Sequence, residues 1–151
     1  MFARNKKFLA ACSVVVLSMG LQACGGGSSS DADTSAEVPS FAGTYDVTLS
    51  KTSDSCATGL DKSFKVVQTV TQSGRAITLV SNAVTLQGSV DADNAGLSAS
   101  FQNTTNGVLV TTTTVYRSTA TPGLYGAGFS VVAKSGNETC SVSYNGQAKL
   151  K

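Results

Sequence analysis

Apolar and polar residues alternate along the chain from Phe41 onward, with the period of two that is typical of a half-buried β-strand. Over residues 44–50, Tyr45, Val47 and Leu49 fall on one face, and the residues between them are polar. Residues 139–150 repeat the pattern and place the following on the inward face: Cys140, Val142, Tyr144, Gly146, Ala148 and Leu150. The pattern therefore predicts that the first and last elements of the folded region are strands.

Between these two elements the same signals predict six more strands. Short turns rich in Gly, Ser, Asn and Asp separate them, and the full set of predicted strands is 44–50, 64–72, 75–80, 83–91, 96–102, 108–117, 124–133 and 139–150. Short sequential connections favour an antiparallel meander, and eight strands in that order can close on themselves. The sequence predicts an all-β fold with one small up-and-down β-barrel, and a β-sandwich is the alternative.

Two features of the predicted strands bear on how the barrel closes. The strand at 108–117 has apolar residues on both faces, since Val108 and Tyr116 share one parity while Leu109 takes the other. Glycines inside strands weaken pairing unless a bend or a close approach needs them. We therefore predict that the three glycines inside strands mark corners of the barrel, namely Gly88, Gly126 and Gly128. The predicted filling of the interior is Tyr45, Phe64, Phe101, Phe129 and Tyr144.

The N-terminal residues have the composition of a secretory signal. Basic residues at positions 4, 6 and 7 precede an apolar segment over 8–21, and small residues follow it. The segment contains Ser13, Ser18 and Gly20 and is shorter than the roughly 20 residues that a stable membrane span needs. Residues 25–39 are mostly Gly, Ser, Asp and Ala, a composition that predicts a flexible tether.

The four residues Leu21, Gln22, Ala23 and Cys24 resemble the lipobox of bacterial lipoproteins. The resemblance implies that the Cys24 thiol receives a diacylglyceryl group, that the chain is cut before Cys24, and that the new amino terminus is acylated. Two or three acyl chains, at about 0.8 kcal/mol per buried methylene, hold a protein on a membrane permanently. The predicted organisation is a signal peptide at 1–23, the lipidated Cys24 and tether at 24–39, and the barrel at 40–151.

The resemblance also implies a location in the cell envelope. In such lipoproteins an Asp after the lipidated cysteine marks retention in the inner membrane, and here the residue is Gly25. Its presence favours the outer membrane of a Gram-negative bacterium.

The remaining cysteines fit an oxidising compartment. Of the 4 cysteines, Cys12 belongs to the signal and Cys24 carries the lipid, which leaves Cys56 and Cys140 in the folded region. An even pair in a secreted domain predicts a disulfide, and two separate buried thiols are the alternative. The bridge would join the loop after the first strand to the start of the last strand, across the seam of a closed barrel.

Charge and composition exclude several classes of function. The chain has 11 basic and 9 acidic residues, and loss of the three signal cations leaves 8 and 9, a net charge of −1. The mature region has no basic stripe, which argues against nucleic acid as a partner. Histidine is absent, which removes Ser-His-Asp and Cys-His catalysis and His-containing zinc sites. The carboxylates are scattered, so the sequence predicts a protein that is not an enzyme and needs no cofactor.

The start of the folded region resembles the opening G-x-W motif of lipocalin-like (calycin) barrels. The matching residues run from Phe41 through Gly43 to Tyr45, with Tyr45 at the position of the tryptophan. The resemblance implies a barrel whose floor is closed by this aromatic ring.

Three further segments contain residues that occur in binding sites of other proteins. Asp91, Asp93 and Gly96 begin like a calcium loop, but Ala95 and Gln102 stand where further ligands are required, so turn residues are the preferred interpretation and no metal is predicted. Residues 73–75 resemble the loop of lipid-anchored lysozyme inhibitors, although Ile77 occupies its tyrosine position. Residues 111–114 are four threonines, whose hydroxyls could face a sugar or protein but which also suit an ordinary strand.

Two functions remain open at this level. The preferred one is a non-catalytic structural or surface-interaction role with an interior filled by side chains. The alternative is a binding module for a small apolar ligand or an envelope protein. A cavity lined by several of the predicted filling aromatics favours the alternative, and a filled interior favours the structural role.

Overall fold

The computed structural model describes residues 37–151, and the predicted signal, Cys24 and residues 25–36 of the tether lie outside them. The described residues form eight strands: β1 (Gly43–Asp54), β2 (Ser63–Ser73), β3 (Ala76–Ser81), β4 (Val84–Val90), β5 (Gly96–Thr105), β6 (Val108–Ser118), β7 (Leu124–Ser135) and β8 (Glu138–Leu150). Every predicted strand is present, with ends that differ by up to four residues. None of the described residues forms a helix that could cross a membrane.

The strands form one closed antiparallel barrel in sequential order, in which β8 pairs with β1. The structure confirms the up-and-down barrel, and the β-sandwich was wrong. Every strand is paired on both sides over at least part of its length, which limits the open sheet edges at which edge-to-edge aggregation begins. Residues Ser35–Lys151 form a compact unit. It contains all eight strands and the Cys56–Cys140 disulfide, so we expect it to fold on its own.

One end of the barrel, where β1 begins, is closed by aromatic rings. This closed end consists of Phe41, Tyr45, Tyr116 and Tyr125, with Tyr45 and Tyr116 ring centroids 5.2 Å apart in an edge-to-face arrangement. The Tyr45 hydroxyl donates a hydrogen bond to the Phe41 carbonyl at 2.7 Å. This hydrogen bond ties the Tyr45 side chain to the Phe41 backbone, and both residues are buried at this end of the barrel.

The chain enters the barrel at this closed end and is held there by one side chain. The Gln72 amide oxygen accepts a hydrogen bond from the Phe41 backbone N–H at 2.7 Å, and the amide nitrogen donates to the Pro39 carbonyl at 2.9 Å. Val38 packs against the core. Contacts with the barrel thus begin at Val38, two residues before the predicted start of the domain.

The predicted faces hold for most of the core. Tyr45, Val47 and Leu49 are buried, whereas Asp46 and Thr48 are exposed. Two predictions of burial were wrong: Phe101 is 43% exposed and Leu150 is 39% exposed. Phe101 lies on the inward face of β5 but near its open end, and Leu150 is the last residue of β8, where no further strand covers it.

Close backbone approach accounts for one of the three glycines that the sequence places inside strands. A Cβ atom on Gly88 would lie 1.9 Å from the Ser98 carbonyl oxygen, and one on Gly146 would lie 1.9 Å from the Thr48 carbonyl oxygen. These two positions need glycine because neighbouring backbone approaches too closely. Gly126 and Gly128 have room for a side chain, with nothing nearer than 3.6 Å, so close approach does not explain glycine at these two positions.

The predicted disulfide joins Cys56 to Cys140, which are 84 residues apart in sequence. It links the β1–β2 loop to β8 at the end of the barrel opposite the closed end. Asp54 organises the same loop, because its carboxylate accepts hydrogen bonds from Lys51 at 3.0 Å and from the Thr58 hydroxyl at 2.9 Å. The hydrogen bond from Lys51 is the main cause that lowers the pKa of Asp54. The loop is therefore fastened both covalently and by charge.

Candidate functional site: a cavity at the mouth of the barrel

The end of the barrel where β1 ends is open, and we call it the mouth. It opens because β4 and β5 separate there: they pair only over residues 87–90 and 97–100, whereas β5 and β6 pair over the whole length from Gly96 to Thr105. The residues of β4 before Gln87 and those of β5 after Ser100 are therefore not paired with each other. The gap exposes part of the barrel interior to solvent.

A cavity of about 510 Å³ lies inside this gap. Inward residues of six strands, β2 to β7, supply most of its wall, and the lining is Phe64, Lys65, Val66, Gln68, Ser81, Asn82, Val84, Leu86, Phe101, Thr112, Thr114 and Phe129. Ligand pockets in proteins usually have volumes of roughly 300–1,000 Å³ and a mostly apolar lining with few polar groups. Both the size and the chemistry of this cavity fall in that class.

Three phenylalanines give the cavity its apolar character. The Phe64 and Phe129 ring centroids are 5.9 Å apart with nearly perpendicular planes, and Phe64 packs in the same way on Tyr144 at 4.9 Å. The Tyr144 hydroxyl donates a hydrogen bond to the Asp61 carbonyl of the β1–β2 loop at 3.2 Å. The loop is thus held over the β1 and β8 side, while the β4 and β5 side stays open.

The cavity floor is polar. Gln68 and Thr114 are each only 2% exposed, in contrast to Phe101 near the opening. The Gln68 amide oxygen accepts a hydrogen bond from the Tyr116 hydroxyl at 2.5 Å, and its amide nitrogen donates to the Ser81 hydroxyl at 3.3 Å. The buried Thr114 hydroxyl has no hydrogen-bond partner among the described atoms. The floor therefore offers polar groups at the base of an apolar wall.

Two tyrosines of the closed end, Tyr45 and Tyr116, lie below this floor and remain protonated. Burial is the main cause that raises the pKa of the Tyr116 phenol well above its ordinary value, and burial likewise raises the pKa of Tyr45. A protonated Tyr116 keeps its O–H as the donor to Gln68. This fixes the orientation of the Gln68 amide, with the nitrogen as the group left for other partners.

Charge is nearly absent from the cavity. Lys65 is the one charged residue in its lining. It is exposed and lies between the inward residues Phe64 and Val66, so its side chain starts from the outer face of β2. A second, shallower cavity of about 500 Å³ lies higher on the long β6–β8 wall, against Val108, Ala133, Ser135, Glu138, Thr139 and Cys140.

The other predicted sites lie elsewhere. The segment at 91–96 is the β4–β5 turn at the closed end, where Arg117 contacts the Asp91 carboxylate at 2.6 Å and the Asp93 carboxylate accepts the Ala95 backbone N–H at 3.0 Å. Among the described residues, no three His, Cys, Asp or Glu side chains are grouped as metal ligands. Residues 73–75 form the β2–β3 turn, also at the closed end, with Gly74 at φ 58°.

The sequence analysis did not single out Gln68 and considered Thr114 only within the run of threonines at 111–114, although a signal for both was present. Gln68 shares the inward parity of Phe64, Val66 and Val70, so it is a polar residue on an apolar face. Thr112 and Thr114 likewise share the parity of Tyr116, and only Thr111 and Thr113 point outward. A polar side chain on the inward face of a strand was the available indication of an internal site.

Comparisons of the chain with protein-family models, with curated proteins and with solved structures give no match. The fold and the cavity define a closed eight-stranded antiparallel barrel with one open end.

Proposed function

We propose that the protein is a binding module whose barrel holds a small, largely apolar ligand in the cavity at the mouth. The observation that carries the proposal is the cavity of about 510 Å³, which is lined by Phe64, Phe101 and Phe129. These are three of the five aromatics that a purely structural barrel would use to fill its interior. Apolar wall area that a ligand covers is removed from water, which favours binding by about 25 cal/mol per Å².

The test is a probe-binding experiment on the soluble unit Ser35–Lys151. N-phenyl-1-naphthylamine is an uncharged aromatic fluorophore whose emission rises in apolar surroundings, and we expect saturable binding. Thr112→Trp should fill the cavity and weaken the affinity about tenfold or more, which corresponds to about 1.4 kcal/mol. Thermal melts verify that the variant is folded.

Thr113→Trp is the matched control. Thr113 is the next residue on β6 and lies on the outer face, so the same bulk is added outside the barrel. The affinity of this variant should equal that of the wild type. Absence of saturable binding to the wild type, or equal weakening by both substitutions, would contradict the proposal.

We further propose that the module is anchored in the bacterial envelope through lipid on Cys24, on the strength of the lipobox resemblance of residues 21–24. Cys24→Ala should abolish lipidation and leave the precursor uncut at that bond. Mass spectrometry of membrane-extracted protein is the measurement. A mature wild-type chain that starts elsewhere, or starts at Cys24 without lipid, would refute the anchor.

A further inference from the structure

The polar floor of the cavity has hydrogen-bonding capacity that the protein itself does not use. The Thr114 hydroxyl is buried and unpaired, which is rare because buried polar side chains in folded proteins almost always have a partner. Thr114 belongs to the lining of the cavity. An unpaired hydroxyl in that position points to a ligand atom as its partner.

The Gln68 amide adds a donor beside this hydroxyl. Its oxygen already accepts a hydrogen bond from the Tyr116 hydroxyl, and one of its N–H groups donates to the Ser81 hydroxyl. A side-chain amide has two N–H donors, and no other partner of this nitrogen is found among the described residues. The floor can thus donate from Gln68 and from Thr114, a combination that suits an oxygen acceptor such as a hydroxyl, ester or amide oxygen.

A charged ligand end does not suit the same floor. A carboxylate would lose its hydration on entry, and a buried charge is tolerated only when it is paired. The single cation of the lining is Lys65, which is exposed and starts from the outer face of β2. No described cation is therefore placed to pair with a carboxylate at Gln68 and Thr114.

On the basis of the proposed function, we propose that the ligand class is the uncharged amphiphile: a hydrocarbon body with one neutral oxygen-bearing end. The polar end accepts hydrogen bonds from Gln68 and Thr114 at the floor. The hydrocarbon body extends along Phe64 and Phe129 toward Phe101 at the mouth. The cavity then discriminates against free carboxylates of the same chain length.

The experiment is displacement of N-phenyl-1-naphthylamine from the Ser35–Lys151 unit by decan-1-ol and by decanoate at neutral pH. The two competitors share their hydrocarbon length and differ in the charge of the end group. We expect decan-1-ol to compete about tenfold better, because its hydroxyl is paired at the floor while the carboxylate remains unpaired. This comparison uses the wild-type unit and does not depend on the folding of a variant.

Two variants locate the polar end of the ligand. Thr114→Val keeps the shape of the side chain and removes the hydroxyl, so it should weaken decan-1-ol severalfold more than it weakens the fluorophore, which has no oxygen to pair with that hydroxyl. Thr113→Val makes the same substitution one residue away, on the outer face of β6, and should leave the binding of decan-1-ol unchanged.

The outcomes separate this inference from the proposed function. Saturable fluorophore binding with equal competition by alcohol and carboxylate, or with no greater effect of Thr114→Val on the alcohol than on the fluorophore, would overturn the inference and leave the binding function standing. Tighter binding of decanoate that is lost in Lys65→Gln would place the polar end at the rim, and would also overturn it. Absence of fluorophore binding would overturn both proposals.

Discussion

At the scale of single residues, the strict alternation of β1 determines which side chains form the core. Val47 is 1% exposed and lies between Val66 of β2 and Ala148 of β8, whereas its neighbour Thr48 faces solvent between Lys65 and Gln147. Burial of one such aliphatic side chain contributes roughly 1.5–3 kcal/mol. That contribution is a considerable part of the net stability of a small domain, which is about 5–15 kcal/mol.

Val47→Asp should therefore unfold the barrel or come close to it. The new carboxylate would be buried without a partner, a change that costs several kcal/mol. Thr48→Asp adds the same charge one residue away on the outer face, and its free energy of unfolding should change by no more than about 0.5 kcal/mol. Thermal and denaturant melts of the Ser35–Lys151 unit are the measurement. Equal tolerance of the two substitutions would contradict the assigned faces.

Residue-level predictions from sequence were reliable where burial alone decides the face. Tyr45, Val47 and Leu49 were predicted correctly because alternation with polar neighbours leaves one choice. Phe101 was predicted inside and is exposed because its strand leaves its neighbour at the mouth. A hydrophobic pattern predicts which face of a strand a residue lies on. It does not predict whether neighbouring strands remain paired at that position.

At the scale of elements, the β1–β2 loop is the part of the mouth that is fastened. Cys56 binds the loop to β8 through the disulfide, and the Tyr144 hydroxyl holds the Asp61 carbonyl. The Ser55 backbone N–H also donates to the Ser141 carbonyl at 2.9 Å. These links join the loop to β8 on one side of the mouth, whereas the gap in strand pairing lies on the other side, between β4 and β5.

Removal of the disulfide should lower stability without changing the fold. A bridge between residues 84 apart in sequence stabilises by about 4 kcal/mol in the chain-entropy model. The double substitution Cys56→Ser with Cys140→Ser should lower the Tm of the unit by about 10–20 °C. Differential scanning calorimetry with and without reductant is the measurement.

The double variant also serves as the control for the reductant, to which its melting should be insensitive. An unchanged Tm would mean that the bridge adds nothing to the closure of the barrel. Peptide mapping without reductant should recover the Cys56 and Cys140 peptides joined, and free thiols at both positions would contradict the bridge itself.

Element-level predictions succeeded for a physical reason. Turn residues such as Gly74 and Asn82, both at positive φ, separate the strands clearly, and sequential antiparallel pairing follows from short connections. The β4 and β5 strands were also predicted, but their partial separation was not. The separation is a matter of how far along the two strands their pairing extends, which a strand pattern does not contain.

At the scale of the whole molecule, the barrel has two unlike ends. The closed end is sealed by Phe41 and the tyrosines, and receives the chain from its N-terminal side. The mouth carries the disulfide and the cavity. The preferred structural role assumed an interior filled throughout, which holds for the closed end, whereas the cavity at the mouth favours the alternative of ligand binding.

The composition of the cavity explains why the sequence could not choose between the two roles. The same inward aromatics fill the barrel if β4 and β5 pair to their ends, and line a cavity if they do not. The sequence shows which residues are inward but not the spacing between the strands that carry them. The floor residues Gln68 and Thr114 were the nearest signal, because polar inward positions need partners.

The most direct test of the central claim is methyl-resolved NMR of the Ser35–Lys151 unit titrated with decan-1-ol. We expect progressive, saturable shifts for the inward methyl groups of the cavity, those of Val66, Val84 and Leu86, while the outer methyl groups of Val67 and Val80 stay in place. The outer pair is the control, because both are exposed valines on β2 and β3. Shifts confined to the outer valines, or no saturable shift of the inward set, would contradict a ligand cavity at the mouth.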